Sequence, residues 1–206
     1  MENSLTLFNG PTSPFGRKTK IVALIHEIEI NEKIINVYEA DYLDKKNPLR
    51  KIPTLIAKNL SIIDSDNICL YFDSITKKET LFPINKYWQI MSYTSIANGL
   101  MESILERFME ISRSEGEKSN VFIKKLETRA LRTINWLEKN LKHFNDSQLT
   151  MDKIAIACAL DYTVFRFTSK WKSQNYELAK WFDNFREKEF MKSTLPKITK
   201  STDKKI

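Results

Sequence analysis

Apolar positions follow two regimes along the chain. Up to about residue 80 they switch between strand-like and helix-like spacing, and beyond about Asn85 they keep only the period of an α-helix. Leu5 to Phe8 reads as a short strand, and Ile21, Val22, Leu24, Ile25 and Ile28 then recur with helical spacing while Arg17, Lys18 and Lys20 stay polar. Ile34 to Tyr38 is predicted as a second strand, residues 39–50 as irregular, Thr54–Ala57 and Ser61–Ile63 as a hairpin turning at Lys58-Asn59, and Asp64 onward as helix. In the second regime, Ile90, Thr94, Ala97, Met101, Ile104, Leu105, Phe108 and Ile111 share one face of a long helix that breaks in Ser112–Ser119, around Gly116. Helices are expected over about 120–142, 151–168 and 174–190, the 151–168 segment having so little polar surface that it belongs at the centre. Leu81-Phe82-Pro83 marks the boundary, giving domains of 1–81 and 82–206.

Composition narrows the class. With 206 residues, 42% apolar and 29% charged, the chain has the make-up of an ordinary globular protein. Met1-Glu2-Asn3-Ser4 lacks the basic region of a secretion signal and the apolar run Ile154–Leu160 is too short to span a bilayer, which predicts a cytoplasmic protein without a membrane anchor. Cys69 and Cys158 lie far apart inside apolar helical patterns and read as buried packing residues, not as a disulfide, a zinc site or a redox pair. His26 and His143 have no partners at ligand spacing, so no metal is expected. The net charge of +7 is concentrated after residue 83, where 22 Lys/Arg face 15 Asp/Glu. Those cations are interspersed with acids and accompanied by no nucleic-acid motif, so solvated helix faces are expected and nucleic acid is not. The end from Lys192, with five lysines and one aspartate, reads as a mobile basic tail.

Three short segments carry candidate chemistry. In Thr12-Ser13-Pro14-Phe15-Gly16-Arg17, a hydroxyl followed at once by proline places Ser13 as the N-cap where a strand hands over to a helix, a location suited to an anion. In Ile52-Pro53-Thr54, a proline stands where a strand begins; a cis bond would expose the Ile52 backbone to an extended peptide, whereas the tripeptide alone favours an ordinary trans bond. In Asp64-Ser65-Asp66-Asn67-Ile68, small polar residues cap a helix, which becomes functional only if the helix start receives a carboxylate and Asp64 its amine.

In this order and at these spacings the three segments resemble the glutathione transferase family over the whole chain, with Ser13-Pro14-Phe15-Gly16-Arg17 similar to its active-site segment, Asn47 to Pro53 to its cis-proline segment and Asp64-Ser65 to its acidic-Ser pair. The helix around Ile154–Leu160 is similar to that of the family's helical domain, and the bacterial YibF-like branch looks nearest. The resemblance implies a thioredoxin-like α/β domain followed by an all-α domain, a cytoplasmic homodimer, and glutathione as co-substrate for attack on an electrophilic or peroxidic small molecule. It implies that Ser13 donates to the glutathione sulfur, with Thr12 as the competing hydroxyl. Phe15, Ile52 and Pro53 would contact the peptide, Ser65 the γ-glutamyl carboxylate, Asp64 the amine and Lys51 the glycyl carboxylate. A hydrogen bond to a charged group is worth ~1.5–3 kcal/mol and each unit of thiol pKa ~1.4 kcal/mol, so one hydroxyl at a helix start suffices for a shift of one or two units.

A non-catalytic reading comes from the same fold, since stringent starvation protein A resembles this family but acts by contacting RNA polymerase, and residues 5–12 are similar to its opening. The site residues Ser13, Lys51, Asp64 and Ser65 favour the enzyme. Asn98, Met101, Glu102 and Leu105 are candidate linings of a second-substrate cavity, and Trp88, Trp136, Trp171 and Trp181 candidate core or interface anchors. The family's Ser/Thr-x-x-Asp capping box is altered here: Thr150 is followed three places on by Lys153, with Asp152 one place early, which puts the rigidity of that helix start in doubt.

Overall fold

The computed structural model describes residues 5–196, so the Met1–Ser4 opening and the part of the basic tail from residue 197 lie outside the described residues. The chain forms two compact units, one running to Phe82 and rejoined by the segment that starts at Glu189, the other Pro83–Lys188.

The first unit is built on four strands: β1 (Leu5–Asn9), β2 (Ile30–Ile34), β3 (Thr54–Ala57) and β4 (Leu60–Ile63). Their order is β2-β1-β3-β4, with β1 parallel to β2 and antiparallel to β3, and β3 antiparallel to β4. The helix α1 (Pro14–Ile25) makes the crossover between the parallel strands, and α2 (Ser65–Ile75) follows β4 and packs on α1. Leu7, Ile21, Val22, Leu55, Ile68 and Phe72 are fully buried and form the core between sheet and helices. The second strand lies earlier than its apolar pattern predicts. Pairing runs from Leu5 with Ile30 to Asn9 with Ile34, and Val37–Glu39 is a 3-10 turn. Register against β1 decides this edge strand, whose own side chains are mostly exposed and carry little apolar signal.

The second unit contains α3 (Tyr87–Ile111), α4 (Asn120–Lys139), α5 (Met151–Arg166) and α6 (Tyr176–Arg186). The central place expected for α5 is observed: every residue from Met151 to Thr163 is buried, and its main partner is α3. Between α3 and α4 the chain is folded back by Glu110, whose carboxylate accepts the Ser119 N–H at 2.7 Å, and Ser119 then caps α4 by accepting the Phe122 N–H at 3.2 Å. At the start of α5, the Thr150 side chain makes no capping bond to the backbone; its hydroxyl donates to Asp152 at 2.5 Å. Lys153 supplies the rigidity instead, its buried ammonium donating to the Asp146 carbonyl at 2.7 Å and the Asp146 carboxylate at 2.6 Å. The last predicted helix is split, because α6 ends at Arg186 and a short α7 (Glu189–Lys192) follows.

Candidate functional site

Asn9 closes β1 and sets the geometry of the loop that follows. Its side chain is almost fully buried, accepting the Gly10 N–H at 2.8 Å and donating to Glu32 of β2 at 2.8 Å. Gly16, in the first turn of α1, lies so close that a Cβ there would sit 1.5 Å from the Asn9 Oδ1. A Cβ on Gly10 would likewise lie 2.6 Å from the Ile52 Cδ1 and 3.8 Å from the Ser13 Cβ, so the loop glycine packs between the first two candidate segments and brings them together. Ser13 caps α1 from extended backbone, its Oγ accepting the Gly16 N–H at 3.1 Å, with Pro14 at the first helical position. Since the Ser13 oxygen acts as acceptor within the protein, its O–H proton is left to donate outward. Thr12 lies in the turn closed by the Ser13 N–H on the Gly10 carbonyl at 3.2 Å; it and Phe15 are half-buried.

The Ile52-Pro53 bond is cis, and neither the N–H nor the C=O of Ile52 has a partner among the described residues. Those groups lie just before β3, where the segment is pinned by Asn47: its Nδ2 donates to the Lys51 carbonyl at 2.9 Å and to the Thr54 hydroxyl at 2.9 Å, while Thr54 donates to the same carbonyl at 2.8 Å. Lys51 is exposed and its ammonium has no partner among the described residues.

Asp64 holds φ 73° and ψ 133°, a backbone conformation that costs a non-glycine residue about 1–3 kcal/mol and recurs at functional sites. Its Oδ1 accepts the N–H groups of Asp66 at 2.8 Å and Asn67 at 3.4 Å, leaving Oδ2 without a partner among the described residues. Ser65 is buried at the first position of α2, and its hydroxyl has no partner there either. The ion pair between Lys18 of α1 and Asp66 ties this helix start to the Ser13 helix. Lys18 and Arg17, polar positions in the sequence pattern, are both buried. Arg17 donates to the Met191 carbonyl at 3.0 Å and the Thr194 hydroxyl at 3.2 Å. The start of the expected mobile tail is therefore anchored, with Met191 and Thr194 buried.

Of the other candidates, Met101 is fully buried inside α3 and lines no open surface, whereas Glu102 is exposed. Trp171 is a core residue, Trp88 is 80% exposed, and Trp136 is partly so. His26 is buried with its Nε2 3.1 Å from Asp73, a partner distant in sequence. No cluster of three potential metal ligands occurs among the described residues. No helix among them is long and apolar enough to cross a membrane.

A thioredoxin-like sheet unit followed by a helical unit is the architecture of glutathione S-transferases, and the comparisons agree. Residues 7–80 match the family model "Glutathione S-transferase, N-terminal domain". Glutathione S-transferase D7 of Drosophila melanogaster is 36% identical over 72 residues, covering 33% of this chain and 32% of that protein, so the match spans about a third of the relative's length. A glutathione S-transferase of Methylobacillus flagellatus with glutathione bound is 26% identical with a TM-score of 0.88, covering 94% of this chain and all of the other. A glutathione transferase family member from Pseudomonas fluorescens, also with bound glutathione, is 25% identical with a TM-score of 0.88, over 95% of this chain and all of its own. Together these findings make the chain similar to glutathione S-transferases, in sequence over residues 7–80 and in fold over nearly its whole length.

Proposed function

We propose that this protein is a cytoplasmic, homodimeric glutathione transferase of the bacterial YibF-like branch, with glutathione held by the 1–81 domain and an electrophilic or peroxidic small molecule held against the helical domain. The observation that carries the reading is the Ser13 hydroxyl, fixed as N-cap by the Gly16 N–H at 3.1 Å with its own proton free to donate. In the proposed reaction that O–H donates to the glutathione sulfur and favours the thiolate over the thiol, whose proton passes to solvent. The sulfur then attacks an electrophilic carbon, forming the C–S bond as the leaving group departs with its electron pair. Thr12 is the rival hydroxyl.

The unpartnered groups described above suit the rest of glutathione. Ile52 would pair with the cysteinyl backbone beside Pro53 and Phe15, Ser65 and the start of α2 would receive the γ-glutamyl carboxylate, the Asp64 Oδ2 its amine, and Lys51 the glycyl carboxylate. The relatives with bound glutathione support this reading.

The test is calorimetry with reduced glutathione, followed by pH–rate profiles with a model electrophile. Ser13→Ala is expected to leave affinity within a few-fold while lowering turnover ~10–100-fold near neutral pH, the effect of losing ~1.5–3 kcal/mol of thiolate stabilisation, with partial recovery as pH approaches the thiol's own pKa. Ser65→Ala is expected to weaken binding by that same ~1.5–3 kcal/mol. Absence of heat at about ten millimolar glutathione would refute the reading; binding without turnover of any electrophile would leave a binding protein on this fold. Collapse of activity in Thr12→Ala with Ser13→Ala unaffected would transfer the role to Thr12.

A further inference from the structure

We propose that the exposed face of α4 docks the phosphate backbone of a nucleic-acid duplex. Along the sequence the cations of this helix are interleaved with acids, but the fold separates them. Glu127 is drawn into an ion pair with Arg107 of α3 at 2.8 Å, and Glu138 accepts the N–H groups of Glu177 and Leu178 at the start of α6. With both carboxylates of α4 engaged, Lys124, Lys125, Arg129, Arg132 and Lys139 remain without a charged partner among the described residues. The first four gather with Val121 and Thr128 around one shallow groove, and Lys139 continues the row two turns further, so that the stripe runs about 22 Å at the 1.5 Å helical rise.

The character of the stripe selects the partner. The apolar side of α4, formed by Leu126, Ala130, Ile134 and Leu137, is fully buried in the helical unit, and the exposed Val121, Phe122, Leu131 and Trp136 are scattered around the helix among polar residues, so they form no continuous apolar face to lay into a bilayer. The groove contains no aromatic residue and only one apolar one, Val121, whereas protein interfaces draw their energy from buried aromatic and apolar anchors. What the stripe offers is a row of positive charge, and a phosphate backbone is bound through such a row irrespective of base sequence.

Anisotropy titration of a fluorescent ~20-base-pair duplex of random sequence at 50–200 mM salt tests the assignment. Five phosphate contacts give a log–log salt slope of about −4.5, so wild-type affinity is expected to fall about 500-fold across that range. In the Lys124→Gln/Lys125→Gln/Arg129→Gln/Arg132→Gln variant the fall should shrink to about 3- to 4-fold, and in either pair alone to about 40-fold. Exposed glutamine preserves the helix, which a circular-dichroism melt checks. A control that removes the same charge elsewhere, Lys77→Gln/Lys142→Gln/Lys170→Gln/Lys180→Gln, should keep the wild-type slope. No binding at 50 mM salt, equal slopes in both quadruple variants, or tighter binding to phosphatidylserine vesicles or to poly-glutamate than to the duplex would overturn the proposal.

Discussion

Replacing Gly16 with alanine should damage the first unit more than any other one-methyl change in the candidate site. The new Cβ would fall 1.5 Å from the Asn9 Oδ1, 2.4 Å from its Cγ and 2.7 Å from its Nδ2, so the whole amide group must move. Asn9 cannot swing aside freely, because it is held at both ends, by the Gly10 N–H at 2.8 Å and by Glu32 at 2.8 Å. Overpacking costs about 1–3 kcal/mol. Stranding the Gly10 N–H adds about 1–3 kcal/mol, and loss of the charged bond to Glu32 about 1.5–3 kcal/mol. Alanine returns about 1 kcal/mol of helix propensity. These costs share one displacement and do not add in full, so a net loss of about 3–5 kcal/mol is expected. Urea unfolding followed by circular dichroism, scored on the transition of the first unit, gives the value. Asn9→Ala combined with Gly16→Ala should be less destabilised than the sum of the two single changes, because the clash vanishes once the amide is gone. Stability of Gly16→Ala within about 0.5 kcal/mol of wild type, or strict additivity in the pair, would show that Asn9 does not pack on this turn.

Two further predictions concern buried charge. Asp66→Asn takes away the carboxylate facing the fully buried Lys18 ammonium and should cost about 3–5 kcal/mol, more than Lys18→Met, which removes the buried charge itself and leaves Asp66 at a helix start; equal costs in urea unfolding would refute this ordering. At the start of α5, the hydrogen bond from Lys153 holds the Asp146 carboxyl below its usual value, so its contribution is complete above pH ~3.9 and is lost as pH falls further, through the depressed folded-state value. Burial pushes the neighbouring Asp152 up, so that protonating it favours the folded state as pH falls through its raised value towards ~3.9. The stability difference between wild type and Lys153→Met should therefore narrow below pH ~3.9, and a constant difference down to pH ~2.5 would show that the Asp146 pair contributes nothing.

What was legible in the sequence is what local chemistry dictates. Ser13-Pro14 announces an N-cap and a helix start, the β3–β4 pair follows from its apolar runs around Lys58-Asn59, and α5 is apolar on every side because it is buried on every side. The misplaced features depend on partners distant in the chain. Ile34 to Tyr38 is the stronger apolar run, yet β1 pairs with Ile30–Ile34, and no local rule carries that register. Arg17 and Lys18 look like solvent-facing positions until Met191, Thr194 and Asp66 are placed against them, and the same contacts turn the start of a basic tail into an anchored segment.

The candidate site divides along the same line. Its candidate ligand-binding groups, Ser13, Thr12, Ile52, Asp64 and Ser65, belong to short motifs in which a hydroxyl, proline or acid has a local backbone reason to be there. The groups that hold those motifs in place, Asn9 and Asn47, had no signal of their own, because an asparagine at a strand end or in a loop is ordinary until its partners are known. One signal was present at Gly16. Glycine in a first helical turn gives up about 1 kcal/mol relative to alanine, so a glycine two places after the N1 proline requires a compensating close approach, and Asn9 is what approaches. Asp64 shows the converse, a non-glycine residue kept at φ 73° where glycine would be relaxed. Glycine there would lose the carboxylate that accepts two N–H groups of α2 through Oδ1 and leaves Oδ2 open. Helix capping alone would be served by an unstrained serine or asparagine, so under the proposed function the cost of this strained aspartate is offset by the γ-glutamyl amine it would receive at Oδ2.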